Sequence, residues 1–393
     1  MNPLKGITVV TLEHAIAAPF CTRQLADLGA RVIKIERPGS GDFARAYDER
    51  ARGLSSHFVW TNRSKESLTL DVKHPEANEI LQRLVHEQAD IVVQNLAPGA
   101  AARLGLSHEK LSAVNPKIIV CDISGYGGDG PYRNKKAYDL LIQSEAGFLS
   151  VTGSDGEPAK AGPSIADIAA GMYAYTNILA ALIERGQTGR GKHIDISMLE
   201  SLVEWMSYPL YYAFDGAAPP ARTGASHATI YPYGPFPVGD GTTVVLGLQN
   251  EREWGAFCEK VLRQPALAAD PRFASNSKRS AARVELRQLI ADAFSGLTGA
   301  EVLERLDQAQ IANARGNTMA EVWAHPQLLA RKRWREIASS AGLLPALLPP
   351  GVSPDADTPM APVPALGQHT EAILQGLGYS GAQIAKLREA KAI

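Results

Sequence analysis

Residues 7–36 read ITVVTLEHAIAAPFCTRQLADLGARVIKIE. Residues 7–12 form a continuous apolar run, the pattern of a strand buried on both faces. Residues 18–28 have helical spacing, with Phe20, Leu25 and Leu28 placed toward a core and Gly29 as the stop. Residues 31–36 (RVIKIE) form a second strand. Strand, helix, strand at this spacing predicts a parallel pair joined by a crossover helix. Outward from it the alternation continues. Residues 68–70 read as a short strand, 75–88 as an amphipathic helix opened by proline, and 90–94 (DIVVQ) and 117–123 (KIIVCDI) as strands. Residues 164–185 predict a long alanine-rich helix, and 192–196 (KHIDI) a further strand followed by a helix. The expected class is α/β, with a doubly wound parallel sheet.

Beyond residue 205 the period changes. Residues 206–226 are rich in Pro and Gly and read as a linker. Residues 229–236, a turn at 239–241 and residues 242–248 have the pattern of a hairpin, and helices are expected near 251–262, 281–294 and 299–308. This predicts a smaller α+β domain over 227–325, after a large domain over 1–205. Residues 343–364 are proline-rich and expected to be extended, with a last helix at 370–377.

A chain of 393 residues has room for two or three domains with a sizeable core. A net charge of -1 without blocks of like charge argues against a long polyanionic partner. Cys21, Cys121 and Cys258 are far apart and suit a reducing compartment as buried thiols. The nine histidines include no H-x-x-x-H, so no metal site is expected. The first strand is too short for a signal h-region, and no stretch of about 18 apolar residues occurs, so the expectation is a soluble cytoplasmic protein.

Four places could carry chemistry. The small residues 13–19 (EHAIAAP) after the first strand suit either close approach to a phosphate or a plain tight turn. Arg37, after the second strand, could pair with a ribose phosphate or lie solvated in its loop. Residues 125–131 (GYGGDGP) permit positive φ, and an ordinary turn explains them as well. Asp167 stands among apolar residues at a helix start, where free N–H groups and the helix dipole favour a carboxylate. Spacing alone makes it an N-cap.

Nine segments together resemble the class III coenzyme A transferases, the family of formyl-CoA transferase and of carnitine- and succinyl-CoA-dependent transferases. They are GITVVTLEHAIAAP, LADLGARVIKIERPGSGDFAR, NRSKESLTLDVK, DIVVQNLAPG with Arg103 and Leu104-Gly105, ISGYGGDGP, KKAYD, IADIAAGMYA, TGRGKHIDISMLE and LGQHT, in the family's order over nearly the whole chain. The resemblance implies that Asp167 is the nucleophile. It places coenzyme A contacts on His14, Ala17, Arg37, Leu70, Lys73, Asn95, Arg103, Lys136 and Tyr138. It implies acyl-CoA and a small carboxylic acid as substrates, with no metal and no tightly bound cofactor. It also implies a Rossmann-like large domain built from both chain ends, residues 326–393 returning to it. The assembly would be an interlocked homodimer, each active site lying between the large domain of one chain and the small domain of its partner.

Ile16 and Ala18 depart from the glutamine and glycine of other members, and LGLQNEREW (246–254) stands where formyl-CoA transferase has a glycine-rich lid. The family's racemases carry a histidine base where Ala137-Tyr138-Asp139 stands here, which disfavours that alternative. A non-catalytic coenzyme A-binding protein is the other alternative, and it would not need Asp167. GLQNEREW, IANARGN and HPQLLARKRW resemble the branch acting on small dicarboxylates such as succinate, itaconate, mesaconate or citramalate. Arg222, Asn313 and Arg315 are candidates for the second carboxylate by charge type.

Overall fold

The computed structural model describes residues 2–393. The chain divides into two compact units. The first comprises the chain up to Ala146, Ala161–Met206 and Gln327–Ile393, and the second Gly147–Lys160 and Ser207–Pro326.

The first unit is built on six parallel strands: β1 (Thr8–Leu12), β2 (Arg31–Glu36), β3 (Lys65–Thr69), β4 (Ile91–Gln94), β5 (Ile119–Ser124) and β6 (His193–Ser197). Their order is β3-β2-β1-β4-β5-β6, the doubly wound arrangement. The alternation along each strand explains the apolar runs. Val9, Val32, Ile91 and Val93 face one core, and Val10, Ile33 and Val92 face the other. On the first face helix α1 (Ala17–Asp27) packs against the long helix that begins at Ile165, with Ala17, Ala18, Cys21 and Leu25 in the same core as Ala166, Ala170, Ala174 and Ile178. On the second face helix α2 (Pro75–Gln88) buries Ile80, Leu81 and Leu84 with Leu374, Ile384 and Leu387 from the end of the chain.

Two shorter features bear on the site. Helix α3 (Asp139–Glu145) precedes the long helix, α4 (Ile165–Thr188). By length and composition α4 could cross a membrane, yet its first four turns are part of the core just described. The open edge of β3 is covered by residues 365–370. Ser67 N–H donates to His369 Nδ1 (3.1 Å), His369 N–H to Ser67 O (3.0 Å) and Thr69 N–H to Thr370 Oγ1 (3.0 Å). Such cover removes an unpaired ladder that would otherwise template aggregation.

The second unit holds an antiparallel sheet in the order β9-β8-β7, with β7 at Tyr233–Pro237, β8 at Thr243–Gly247 and β9 at Ala312–Arg315. Its core is aromatic, centred on Phe236, Trp254, Phe257, Phe273 and Phe294. Residues 209–224 are not a bare linker, because helical turns occur at Tyr208–Tyr212 and Phe214–Gly216. In the first unit the extended residues Gly342–Leu347 pair as a hairpin with Trp334–Ser339.

Candidate active site

In a parallel sheet every strand presents its carboxyl end to the same edge, and that is where the connecting loops gather ligands. His14 follows β1, Arg37 follows β2, Leu70 and Lys73 follow β3, and Asn95 and Arg103 follow β4. The β1 and β4 loops are tied to each other: His14 N–H donates to Asn95 Oδ1 and Asn95 Nδ2 donates to His14 O, both at 2.9 Å. Burial pushes the His14 imidazole down, with Lys34 and the exposed Arg37 adding to it and Asp42 and Glu13 opposing it. Leu70 is buried, with its N–H on Glu36 O at 2.9 Å, while Lys73 and Arg103 are exposed. Lys136 and Tyr138 are exposed on the loop that leads into α3. Ala17 is buried at the first position of α1.

Beneath this loop is a buried ionic cluster. Glu13 accepts hydrogen bonds from Lys65 Nζ (2.6 Å), Thr22 Oγ1 (2.6 Å) and Thr11 Oγ1 (2.9 Å), and Lys34 Nζ approaches it at 3.3 Å. Lys34 also pairs with Asp42 at 2.7 Å. The other Asp42 oxygen accepts the N–H of Ala15 at 3.1 Å, which fixes Ala15 at a positive φ of 60°. Burial alone would raise the Glu13 carboxyl, but Lys65 and Lys34 bring it down to about 2. Burial lowers Lys65 to about 8 against the pull of Glu13. Two cations on two anions leave the cluster neutral, the condition for keeping charge in an interior. Its role is to hold the turn that aims the first amide of α1.

Asp167 is the third residue of α4. The capping role that spacing alone suggests for it is performed by another residue. Asp139 Oδ1 accepts the N–H groups of Ala166 (2.8 Å) and Asp167 (3.3 Å), while its Oδ2 accepts from Gln143 Nε2 (2.6 Å). The Asp167 carboxyl is therefore not consumed by a cap. Burial raises it, the neighbouring Asp139 charge raises it again, and the N–H of Ala17 opposes both; the outcome is about 7. A carboxyl poised near neutrality beside a backbone donor is the usual signature of a reactive group. Gly171 allows the approach of the two helices, because a Cβ there would lie 2.7 Å from Ala17 O and 3.0 Å from Phe20 Cδ1.

The candidates of the second unit are engaged locally. Arg222 Nε donates to Ser154 O at 3.1 Å, Asn313 Nδ2 to Asp307 Oδ1 at 2.8 Å, and Arg315 lies 3.9 Å from Glu321. Sequence reasoning placed Glu13 in a candidate loop without seeing its buried ion pairs, and it gave no role to Lys34, Asp42 or Asp139. A lysine inside the otherwise apolar strand RVIKIE was the visible signal for the cluster. It missed Tyr47 as well, whose phenol is pushed up to about 12 by burial and by the Asp42, Asp167 and Tyr138 charges near it.

The sequence model of CoA-transferase family III matches residues 4–370. The succinate–glutarate CoA-transferase of Agrobacterium fabrum is 35% identical over 388 residues, which cover 95% of this chain and 96% of that protein. The human succinyl-CoA:glutarate CoA-transferase is 32% identical over 395 residues, covering 99% of this chain and 90% of its own. The crystal structure of a CAIB/BAIF family protein from Brucella suis superposes with a TM-score of 0.84 at 35% identity, covering 95% of this chain and 99% of that one.

Proposed function

The chain belongs to CoA-transferase family III, and on that premise we propose that it passes coenzyme A from an acyl-CoA donor to a small dicarboxylic acid through Asp167. CoA thioesters are the substrates of this enzyme class. The observation that carries the proposal is the Asp167 carboxyl, relieved of capping by Asp139, raised to about 7 and faced by the Ala17 amide.

The reaction runs by covalent catalysis in matched steps. An Asp167 oxygen attacks the donor thioester carbonyl, the C–S bond breaks, and an acyl-aspartyl anhydride and coenzyme A thiolate result. The thiolate attacks the aspartyl carbonyl of the anhydride, releasing the donor acid and leaving an aspartyl-CoA thioester. The acceptor carboxylate attacks that thioester and expels the thiolate again. The thiolate then attacks the acceptor carbonyl of the new anhydride, giving acceptor-CoA and free Asp167. Proton count is unchanged over the cycle. Near neutral pH a carboxyl at about 7 is ionised in roughly half of the molecules and is more basic than an ordinary aspartate, which suits a nucleophile. The Ala17 N–H can donate to the oxyanion that each attack creates.

His14, Ala17, Arg37, Leu70, Lys73, Asn95, Arg103, Lys136 and Tyr138 would form the coenzyme A cradle, with Arg37 on the 3′-phosphate. We read the assembly as an interlocked homodimer. In its support, Ile183, Tyr211 and Phe214 are 67%, 82% and 75% exposed on the single chain, large apolar side chains that a partner could cover.

The test is to trap the intermediate. Enzyme incubated with an acyl-CoA donor and then with hydroxylamine or borohydride should carry the modification on the peptide containing residues 165–170. Asp167→Ala should lose transfer and still bind coenzyme A. Transfer near the parental rate in that variant, or a label on another residue, would overturn the proposal.

A further inference from the structure

The transfer steps leave a second constellation unused, in the segment that follows β2. Asp48 is gripped from four sides. Its Oδ1 accepts the backbone N–H groups of Arg50 and Ser56 at 2.9 Å each, its Oδ2 accepts Ser56 Oγ at 2.7 Å, and the same oxygen meets His57 Nδ1 at 3.0 Å. The Ser56 and Arg50 amides hold this carboxyl far below the usual carboxylate range. The His57 ring is thereby oriented, with Nδ1 turned to Asp48 and Nε2 left for a ligand.

His57 also ends a row of rings. It meets Tyr47 edge-on at 5.2 Å and 87°, Tyr47 packs on Phe43 at 5.8 Å, and Phe43 stacks on His14 at 5.2 Å and 19°. The row begins in the loop that supplies the Ala17 amide. Its middle is open: Phe43 is 50% and Tyr47 47% exposed. Tyr47 feels the charges of Asp42, Asp167 and Tyr138, so the wall and Asp167 share one electrostatic environment. Aromatic lining with one oriented polar group at its far end suits a ligand with an apolar middle and an anionic tip.

We propose that His57, oriented by Asp48, binds the remote carboxylate of the acceptor acid and makes the enzyme prefer dicarboxylic to monocarboxylic acids. The assignment rests on the transferase reading above. When protonated, the ring donates from Nε2 to the incoming carboxylate while Asp48 balances its charge. The acceptor's near carboxylate is left free to attack the aspartyl thioester. Asp48 is a positioning residue that acts through His57.

The test is acceptor selectivity. In the two-stage scheme kcat/KM for an acceptor does not depend on the donor, so the ratio of kcat/KM for succinate to that for butyrate isolates the remote carboxylate. His57→Ala should lower this ratio about 10- to 100-fold, the worth of one charge-assisted hydrogen bond. His57→Gln, which keeps a neutral N–H, should recover part of it, and Asp48→Asn should lower it by less than His57→Ala. An unchanged ratio in His57→Ala, or a wild-type enzyme indifferent to the two acids, overturns the assignment. Trapping of Asp167 separates the two failures. A labelled Asp167 with an unchanged ratio sinks His57 alone, whereas no label in the wild type sinks the transferase reading and this assignment with it.

Discussion

Asp167→Asn should produce a more stable protein, with a gain that grows with pH. Folding raises this carboxyl from 3.8 to about 7 through burial first and Asp139 second. The folded state thus holds the proton more tightly than the unfolded chain does. The group's contribution is fully present below about pH 4, where both states are protonated, and is lost progressively as pH rises to about 7. A shift of about three units at about 1.4 kcal/mol each sets an upper bound of about 4 kcal/mol. The side chain is only half-buried, so water screens part of this, leaving about 2–4 kcal/mol. Asparagine keeps the shape and can still accept the Ala17 N–H, but it has no charge to desolvate. Guanidinium unfolding at one protein concentration should therefore show the variant about 2–4 kcal/mol more stable at pH 8 and level with the parent near pH 4. The same variant should be inactive, a trade of stability for reactivity. A difference independent of pH, or a variant less stable at pH 8, would refute the argument that the Asp167 carboxylate is held at an energetic cost.

Other outcomes follow from the same geometry. The acidic limb of the kcat/KM–pH profile should lie near pH 7 in the parent, where Asp167 ionises, and Asp139→Asn should move it to lower pH. Gly171→Ala puts a methyl 2.7 Å from Ala17 O, so it should separate α1 from α4. Its expected cost is about 1–3 kcal/mol in thermal unfolding, with a larger fall in kcat than in coenzyme A affinity. Arg37→Ala should weaken coenzyme A more than its 3′-dephospho analogue, by about 10- to 100-fold in calorimetric Kd, and equal weakening would contradict the phosphate contact. Lys34→Met strips the shared cation from Glu13 and Asp42 and should cost about 3–5 kcal/mol in denaturant unfolding.

The parallel sheet was legible because its strands are covered on both faces, and that doubling of burial writes itself as apolar runs at 7–12, 90–94 and 117–123. The site was legible only in fragments. Asp167 stands at a helix start, and from spacing it reads as a cap; that the cap is Asp139, 28 residues earlier, is a fact of tertiary structure. Lys34 lies between Ile33 and Ile35 and Lys65 between the polar Ser64 and Glu66, and nothing local shows that their ammonium groups converge on Glu13 from two different strands. In β9 the sequence ANAR lacks the alternation of a half-buried strand, because only Asn313 of the four is partly covered. The helix Gly381–Glu389 went unread, although its Ser380 start and Gln383 form a capping box.

The cover over β3 has a consequence for how the protein is made. The first unit is assembled from three separated stretches of chain, the last beginning at Gln327. The N–H of Asp71, between Leu70 and Lys73, is accepted by Ala392 O at 2.8 Å, and residues 365–370 seal the strand beside it. During translation the ribosome thus releases β3 and its loop long before it releases their partners. A nascent chain stalled before residue 327 carries an unpaired strand edge and an unsupported loop after β3, a species prone to stick to its own kind. This edge of the sheet is thus completed only once the last residues of the chain are available.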